Sequence, residues 1–283
     1  MAVSRLARER SRNVLLVALG LAVLAGAAPL RAAEEPDSGE AATTELAKKT
    51  QNPVADLISV PFQNNFNFNA GTRDKMVWIL NVQPVIPIKL SEDWNLITRT
   101  IIPIINQPAL FPGAEGEFGL GDINPSLFLS PSKPSKFVWG VGPTATFPTS
   151  SSHRLGTGRW SAGPTAVGLF MDGPWVVGAL ANHQWDFAGW SDKNVNLLLI
   201  QPFVNYNLEH GWYINTAPVV TGDFASNGSH WTVPVGGGGG KLWRVGKVGL
   251  PINTQLQAYY NAATPRFGPD WQLRFQVQFL FPR

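Results

Sequence analysis

The stretch Trp271-Gln-Leu-Arg-Phe-Gln-Val-Gln-Phe-Leu-Phe281 alternates in hydropathy residue by residue. Trp271, Leu273, Phe275, Val277, Phe279 and Phe281 share one parity, Gln272, Arg274, Gln276 and Gln278 the other, and Leu280 alone breaks the rule. A period of two over this length is a β-strand with one apolar and one polar face. The apolar face carries large aromatics at both ends with aliphatics between them. Such a strand has lipid on one side and a wet lumen on the other.

The opposite end of the chain agrees with this. Arg5, Arg8, Arg10 and Arg12 precede the apolar run Val14 to Leu24 and then small residues, with Ala25-Gly26-Ala27 or Ala32-Ala33 as cleavage sites. This is the pattern of a secretory signal peptide over residues 1–33. The apolar run is shorter than the ~20 residues of a helical span. The chain is therefore expected to leave the cytoplasm.

Removing residues 1–33 takes away five of 22 basic and one of 19 acidic residues, leaving 17 and 18. The basic balance thus belongs to the segment that is discarded, and it gives no reason to expect a nucleic acid partner. The absence of cysteine excludes disulfides, thiolate metal sites and cysteine nucleophiles. Only 14% of residues are charged, against about 25% in ordinary soluble domains. A soluble β-sandwich would spread charge over its wet face, whereas here the polar parity is mostly Asn and Gln.

Turn signals divide the rest into twelve expected strands, near 57–69, 76–90, 94–106, 122–131, 136–148, 159–171, 174–187, 194–208, 212–222, 231–245, 248–262 and 270–281, after a short helical piece near 44–49. Each is long enough to cross a bilayer at a tilt, which takes ~9–11 residues. The connections alternate. Gln107–Gly121, Thr149–Gly158 and Asp223–His230 are long; Ser91–Asp93, Asp172-Gly173 and Gly246-Lys247 are tight. The expectation is an all-β, antiparallel up-and-down transmembrane barrel over 57–283, short turns in the periplasm and long loops outside, preceded by a periplasmic or plug-like segment over 34–56. Trp78, Trp94, Trp160, Trp175, Trp212, Trp231, Trp243 and Trp271 lie toward strand ends, as an aromatic girdle requires.

Parity assigns faces. Asn65, Asn67, Gln201, Asn205, Asn253, Gln255 and Gln257 are expected to line the lumen with Arg99 and Arg274, and neutral amides give a pore weak charge preference. On the third strand Ile101 and Ile105 share the inward parity of Arg99. With Phe111 and Phe118 of the following loop they define a candidate apolar pocket at the mouth. The same residues would serve equally to pack that loop against the wall.

Several runs also resemble a known family: Glu45-Leu-Ala-Lys-Lys-Thr-Gln-Asn-Pro-Val-Ala-Asp-Leu-Ile-Ser59, Gly119-Leu-Gly-Asp-Ile123, Gln201-Pro-Phe-Val-Asn-Tyr-Asn-Leu208, Gly211-Trp-Tyr213 and Gly268-Pro-Asp-Trp-Gln-Leu-Arg-Phe-Gln-Val-Gln-Phe-Leu-Phe-Pro282. They are similar to outer-membrane proteins grouped as "MetA-pathway of phenol degradation", many of them mislabelled neuromedin U. The resemblance implies a transporter-like outer-membrane barrel linked to catabolism of aromatic compounds, and carries over no binding residues. One departure concerns the end of the chain. Phe281 is followed by Pro282 and Arg283, whereas the usual signal to the barrel-assembly machinery ends on the aromatic.

Motifs of other chemistry are weak. Gly236–Gly240 with Lys241 resembles a phosphate loop, but Val235 and Leu242 occupy the places of Gly and Ser or Thr and the segment reads as a strand. Ser226-Asn227-Gly228 resembles the nucleophile region of outer-membrane lipases, with Phe224 where the His belongs. His153, His183, His210 and His230 have no ligand spacing, and Glu115, Glu117 and Asp122 could hold a hard cation or serve as solvated loop charges. The resulting expectation is a non-enzymatic outer-membrane channel for small hydrophobic or aromatic molecules, without cofactor or metal, whose partners are outer-membrane lipid and lipopolysaccharide, the assembly machinery and its cargo. A closed structural or surface-interaction barrel and a lipid-acting enzyme are the alternatives.

Overall fold

Each of the twelve expected strands becomes one stave of a closed antiparallel barrel in the computed structural model, which describes residues 38–133, 135–226, 230–245 and 250–281. The expected signal peptide and the Gly246-Lys247 turn lie outside the described residues.

A helix, α1 (Ser38–Thr50), precedes β1 (Ile58–Ala70), and β1 pairs antiparallel with the last strand, β15 (Trp271–Phe281), from Ile58↔Phe281 to Phe68↔Trp271. This pairing closes the wall, so the unsatisfied edges of an open sheet are absent. Among the described residues no helix is long and apolar enough to cross a membrane.

Three staves differ from the expectation. The second consists of β2 (Lys75–Val82) and β3 (Val85–Lys89), interrupted at Gln83-Pro84. The fourth consists of β5 (Glu117–Leu120) and β6 (Asn124–Pro131), so the loop read as Gln107–Gly121 contains paired strand; Asn106↔Phe118 and Ile104↔Leu120 extend the hairpin from β4 (Trp94–Gln107). The ninth consists of β11 (Trp212–Thr216) and β12 (Val220–Asp223), broken at Ala217-Pro218-Val219. Proline supplies no ladder donor, which accounts for the first and third interruptions. The remaining staves are β7 (Phe137–Thr146), β8 (Arg159–Asp172), β9 (Trp175–Gly189), β10 (Asn196–Asn207), β13 (Trp231–Val245) and β14 (Leu250–Ala263).

The turns joining β8 to β9 and β10 to β11 are tight because their residues accept positive φ: Gly173 at +53°, and His210 and Gly211 at +56° and +75°. Outward positions are the apolar ones, with Phe275, Leu256, Val204, Val141 and Leu129 all exposed. Trp94, Trp175, Trp212 and Trp243 ring the short-turn end, and Trp160, Trp231 and Trp271 the long-loop end. Lys241 lies between the Trp212 and Trp243 rings, 4.7 and 4.4 Å from their centroids.

Leu280, the exception in the alternation, is fully buried. It packs with Ala47 of α1, Leu57 and Leu242.

Candidate functional site

The chain from Thr50 to Leu57 lies inside the short-turn end of the barrel. Its backbone turns on itself: Ala55 N–H donates to Asn52 O at 3.2 Å, and Val54 N–H to Asn52 Oδ1 at 3.0 Å. Two anchors fix it. Gln51 and Asn207 exchange a reciprocal amide pair, Gln51 Nε2 to Asn207 Oδ1 at 2.8 Å and Asn207 Nδ2 to Gln51 Oε1 at 3.1 Å. Val54 inserts into a cluster formed by inward side chains of several staves, Ile97, Phe128, Leu169, Leu180 and Phe203 among them. The inner wall thus has an apolar side filled by Val54 and a polar side.

Between them remains a cavity of about 160 Å³, lined by Lys49, residues 50–53, Ala55 and Leu57 of the N-terminal segment, by Gln201, Gln255, Gln276 and Gln278, by Arg99 and Arg274, and by Val85, Leu180 and Phe203. Arg99 donates from Nη2 to Gln83 Oε1 at 2.7 Å. Arg274, 3% exposed, donates from Nε to Asn65 Oδ1 at 3.2 Å, from Nη1 to Ala217 O at 2.9 Å and Gln257 Oε1 at 3.3 Å, and from Nη2 to Gln272 Oε1 at 3.2 Å. Its guanidinium also lies 5.1 Å from the Tyr259 ring. Ala217 N–H in turn donates to Tyr259 Oη at 3.0 Å. Arg274 and Tyr259 thereby satisfy, from the lumen, backbone groups that the strand break leaves without ladder partners.

The expected lumen residues are all on the inner face. Asn67 accepts from Gln272 at 2.9 Å, Asn205 donates to Val176 O at 3.2 Å, and Asn253 donates to Gln278 Oε1 at 3.1 Å while accepting from Tyr213 Oη at 2.9 Å. Gln201 and Gln255 line the cavity, and Gln257 is buried beside Arg274. Neither Tyr213 nor Tyr259 is among the expected lumen residues. Their signal is the glycine run: Gly236, Gly238 and Gly240 pair with Tyr259, Gln257 and Gln255, and a Cβ at Gly240 would fall on the Tyr213 hydroxyl. Those glycines make room for bulky lumen neighbours rather than cradle a phosphate.

The four mouth residues are not brought together. Ile101 and Ile105 face inward, and Ile105 lies under Gly121, where Leu155 of the Thr149–Gly158 loop also packs. Phe111 instead stacks edge-to-face on Phe267, 5.5 Å away. Phe118 is 69% exposed, opposite the exposed Asn106 on the outward side. Its position two residues before Leu120 puts it on the outer parity of β5, which the reading of that stretch as loop concealed.

The weaker motifs resolve into structural roles. Asp122 accepts from Ser150 N–H at 3.2 Å and from Thr157 N–H and Oγ1 at 2.7 and 3.0 Å, while Glu117 lies 3.8 Å from Arg154, whose Nη1 also donates to the Glu115 carbonyl at 3.0 Å. Among the described residues no group of His, Asp and Glu could hold a metal. Ser226 Oγ is 3.3 Å from His230 Nδ1, yet both lie at hydrogen-bond distance from Asp223 O, at 3.0 and 2.9 Å. A carbonyl oxygen only accepts, so Nδ1 carries a proton toward it and cannot take one from Ser226. The pair caps a turn.

No family model matches the sequence, and none of the curated proteins matches it. Solved structures do. The COG4313 outer membrane channel from Pseudomonas putida F1 superposes with a TM-score of 0.57 at 15% identity, over 88% of this chain and 100% of its own. A FadL homologue from Pseudomonas aeruginosa aligns over 73% of this chain and 68% of its own at 9% identity, with a TM-score of 0.35. At such identities the first likeness is one of fold and the second carries no argument. The chain has the fold of an outer-membrane channel.

Proposed function

We propose that this barrel resides in the bacterial outer membrane and lets small hydrophobic or aromatic molecules pass by diffusion, short turns in the periplasm and long loops outside. One observation carries the reading: a closed, apolar-faced barrel encloses a cavity in which an amide-lined wall faces an apolar one. Such a cavity can solvate a small amphipathic solute on both sides. The resemblance to the phenol-degradation family and the fold likeness to a solved outer-membrane channel point the same way. The segment 50–57, seated at the periplasmic end, then acts as the constriction. That occupancy also favours the second reading, a closed structural barrel.

Planar-bilayer recording separates them. The channel reading expects small conductance steps that grow when residues 38–56 are removed. A barrel that stays silent with and without the segment, together with normal uptake of aromatic compounds by cells lacking it, would leave the closed barrel as the better account.

A further inference from the structure

Among the described residues, Arg99, Arg274 and Lys49 line the cavity and no carboxylate does. Amide lining alone would solvate ions of both signs alike, but this charge distribution is one-sided. The contrast with Arg159 is instructive, because that inward arginine near the long-loop rim is ion-paired with Asp186. Arg99 and Arg274 instead donate to neutral amides and a backbone carbonyl. A guanidinium keeps its charge at any ordinary pH, and a charge taken from water without a counter-charge is costly. An anion entering the cavity relieves that cost.

The two arginines are not equivalent. Nε, Nη1 and Nη2 of Arg274 are already held by Asn65, Gln257, Ala217 and Gln272, whereas Arg99 makes, among the described residues, a single hydrogen bond, to Gln83. Val85, Leu180 and Phe203 line the same space. The volume is close to the ~150 Å³ at which an apolar cavity admits benzene.

We propose that the cavity is a binding site for a small aromatic or short aliphatic monocarboxylate, its carboxylate held by Arg99 and its apolar body against Leu180 and Phe203. Lys49, exposed at the periplasmic mouth, extends the positive potential along the exit. The inference deepens the channel reading and rests on it for how cargo arrives, but binding itself requires no conduction.

Benzoate, benzyl alcohol and benzylamine share one ring and differ in charge. Titrated calorimetrically into the barrel in non-ionic detergent at low salt, benzoate is expected to bind at least about tenfold more tightly than the alcohol, the worth of one charge-assisted hydrogen bond, and benzylamine more weakly than either. Arg99→Gln should erase the preference and Arg99→Lys retain part of it. Should Arg99→Gln fail to fold by heat-modifiable mobility, salt decides on the unmodified protein: raising it from ~0.05 to ~0.5 M should weaken benzoate and leave the alcohol unchanged. Equal binding of the three probes, no binding of benzoate, a preference that survives in folded Arg99→Gln, or salt-independent benzoate binding overturns the proposal. A barrel that binds benzoate but is silent in bilayers with normal cellular uptake refutes transport alone. One that conducts and binds the probes equally refutes the carboxylate site alone.

Discussion

Leu280 and Val277, three residues apart on one strand, show how much a single position can reveal. Val277 follows the alternation and faces outward; Leu280 violates it and is buried against Ala47, Leu57 and Leu242. Parity was legible because alternate side chains of a strand meet different solvents. The partners of the exception were not, since Ala47 and Leu57 stand at the far end of the chain and Leu242 on another stave. Val277→Arg places charge on the lipid face and should cost about 2–4 kcal/mol, while Gln276→Arg on the cavity side should cost much less. Urea midpoints of the two variants in detergent test this, and equal midpoints would mean that the faces are misassigned. Leu280→Ala should leave the barrel wall intact but loosen α1, seen as faster proteolysis within residues 38–50.

The twelve staves were legible because hydropathy and turn chemistry are both local. The interruptions were not. Pro61, Pro103 and Pro164 sit within unbroken strands, so Pro84 and Pro218 carry no distinguishing mark in the sequence. The same holds for the N-terminal segment, whose position depends on the pair Gln51–Asn207 across 156 residues. The helical stretch itself was visible and runs from Ser38 rather than Thr44. Because the chain has no cysteine, Gln51→Cys with Asn207→Cys can be bridged cleanly by a short bis-maleimide. If the segment is the constriction and moves, the unbridged variant is expected to show openings larger than the small steps and bridging should abolish them; unchanged recordings would show that it does not gate. At β13, Gly240→Val should prevent folding, because its side chain would compete with Tyr213 for the same space; a heat-modifiable, native-like Gly240→Val barrel would contradict that.

At the scale of the whole molecule, length alternation of the connections supports the proposed orientation. Tight turns such as Asp172-Gly173 and the 3-10 turn Glu209–Gly211 gather at one end with α1, and the hairpin extension of β4 and β5 and the loop pinned by Asp122 gather at the other. Outer-membrane barrels carry their short turns on the periplasmic side and their longer loops outside. The short-turn end should therefore remain in the periplasm, carrying α1 and Lys49 with it. Single cysteines in the loops at 107–121 or 223–230 of the protein in intact cells are expected to react with a bulky, membrane-impermeant maleimide. Cysteines at 172–173 or 209–210 should react only after the outer membrane is permeabilised. The reverse pattern would invert the barrel, put the constriction on the outer surface, and turn the benzoate site from an exit station into an entry filter.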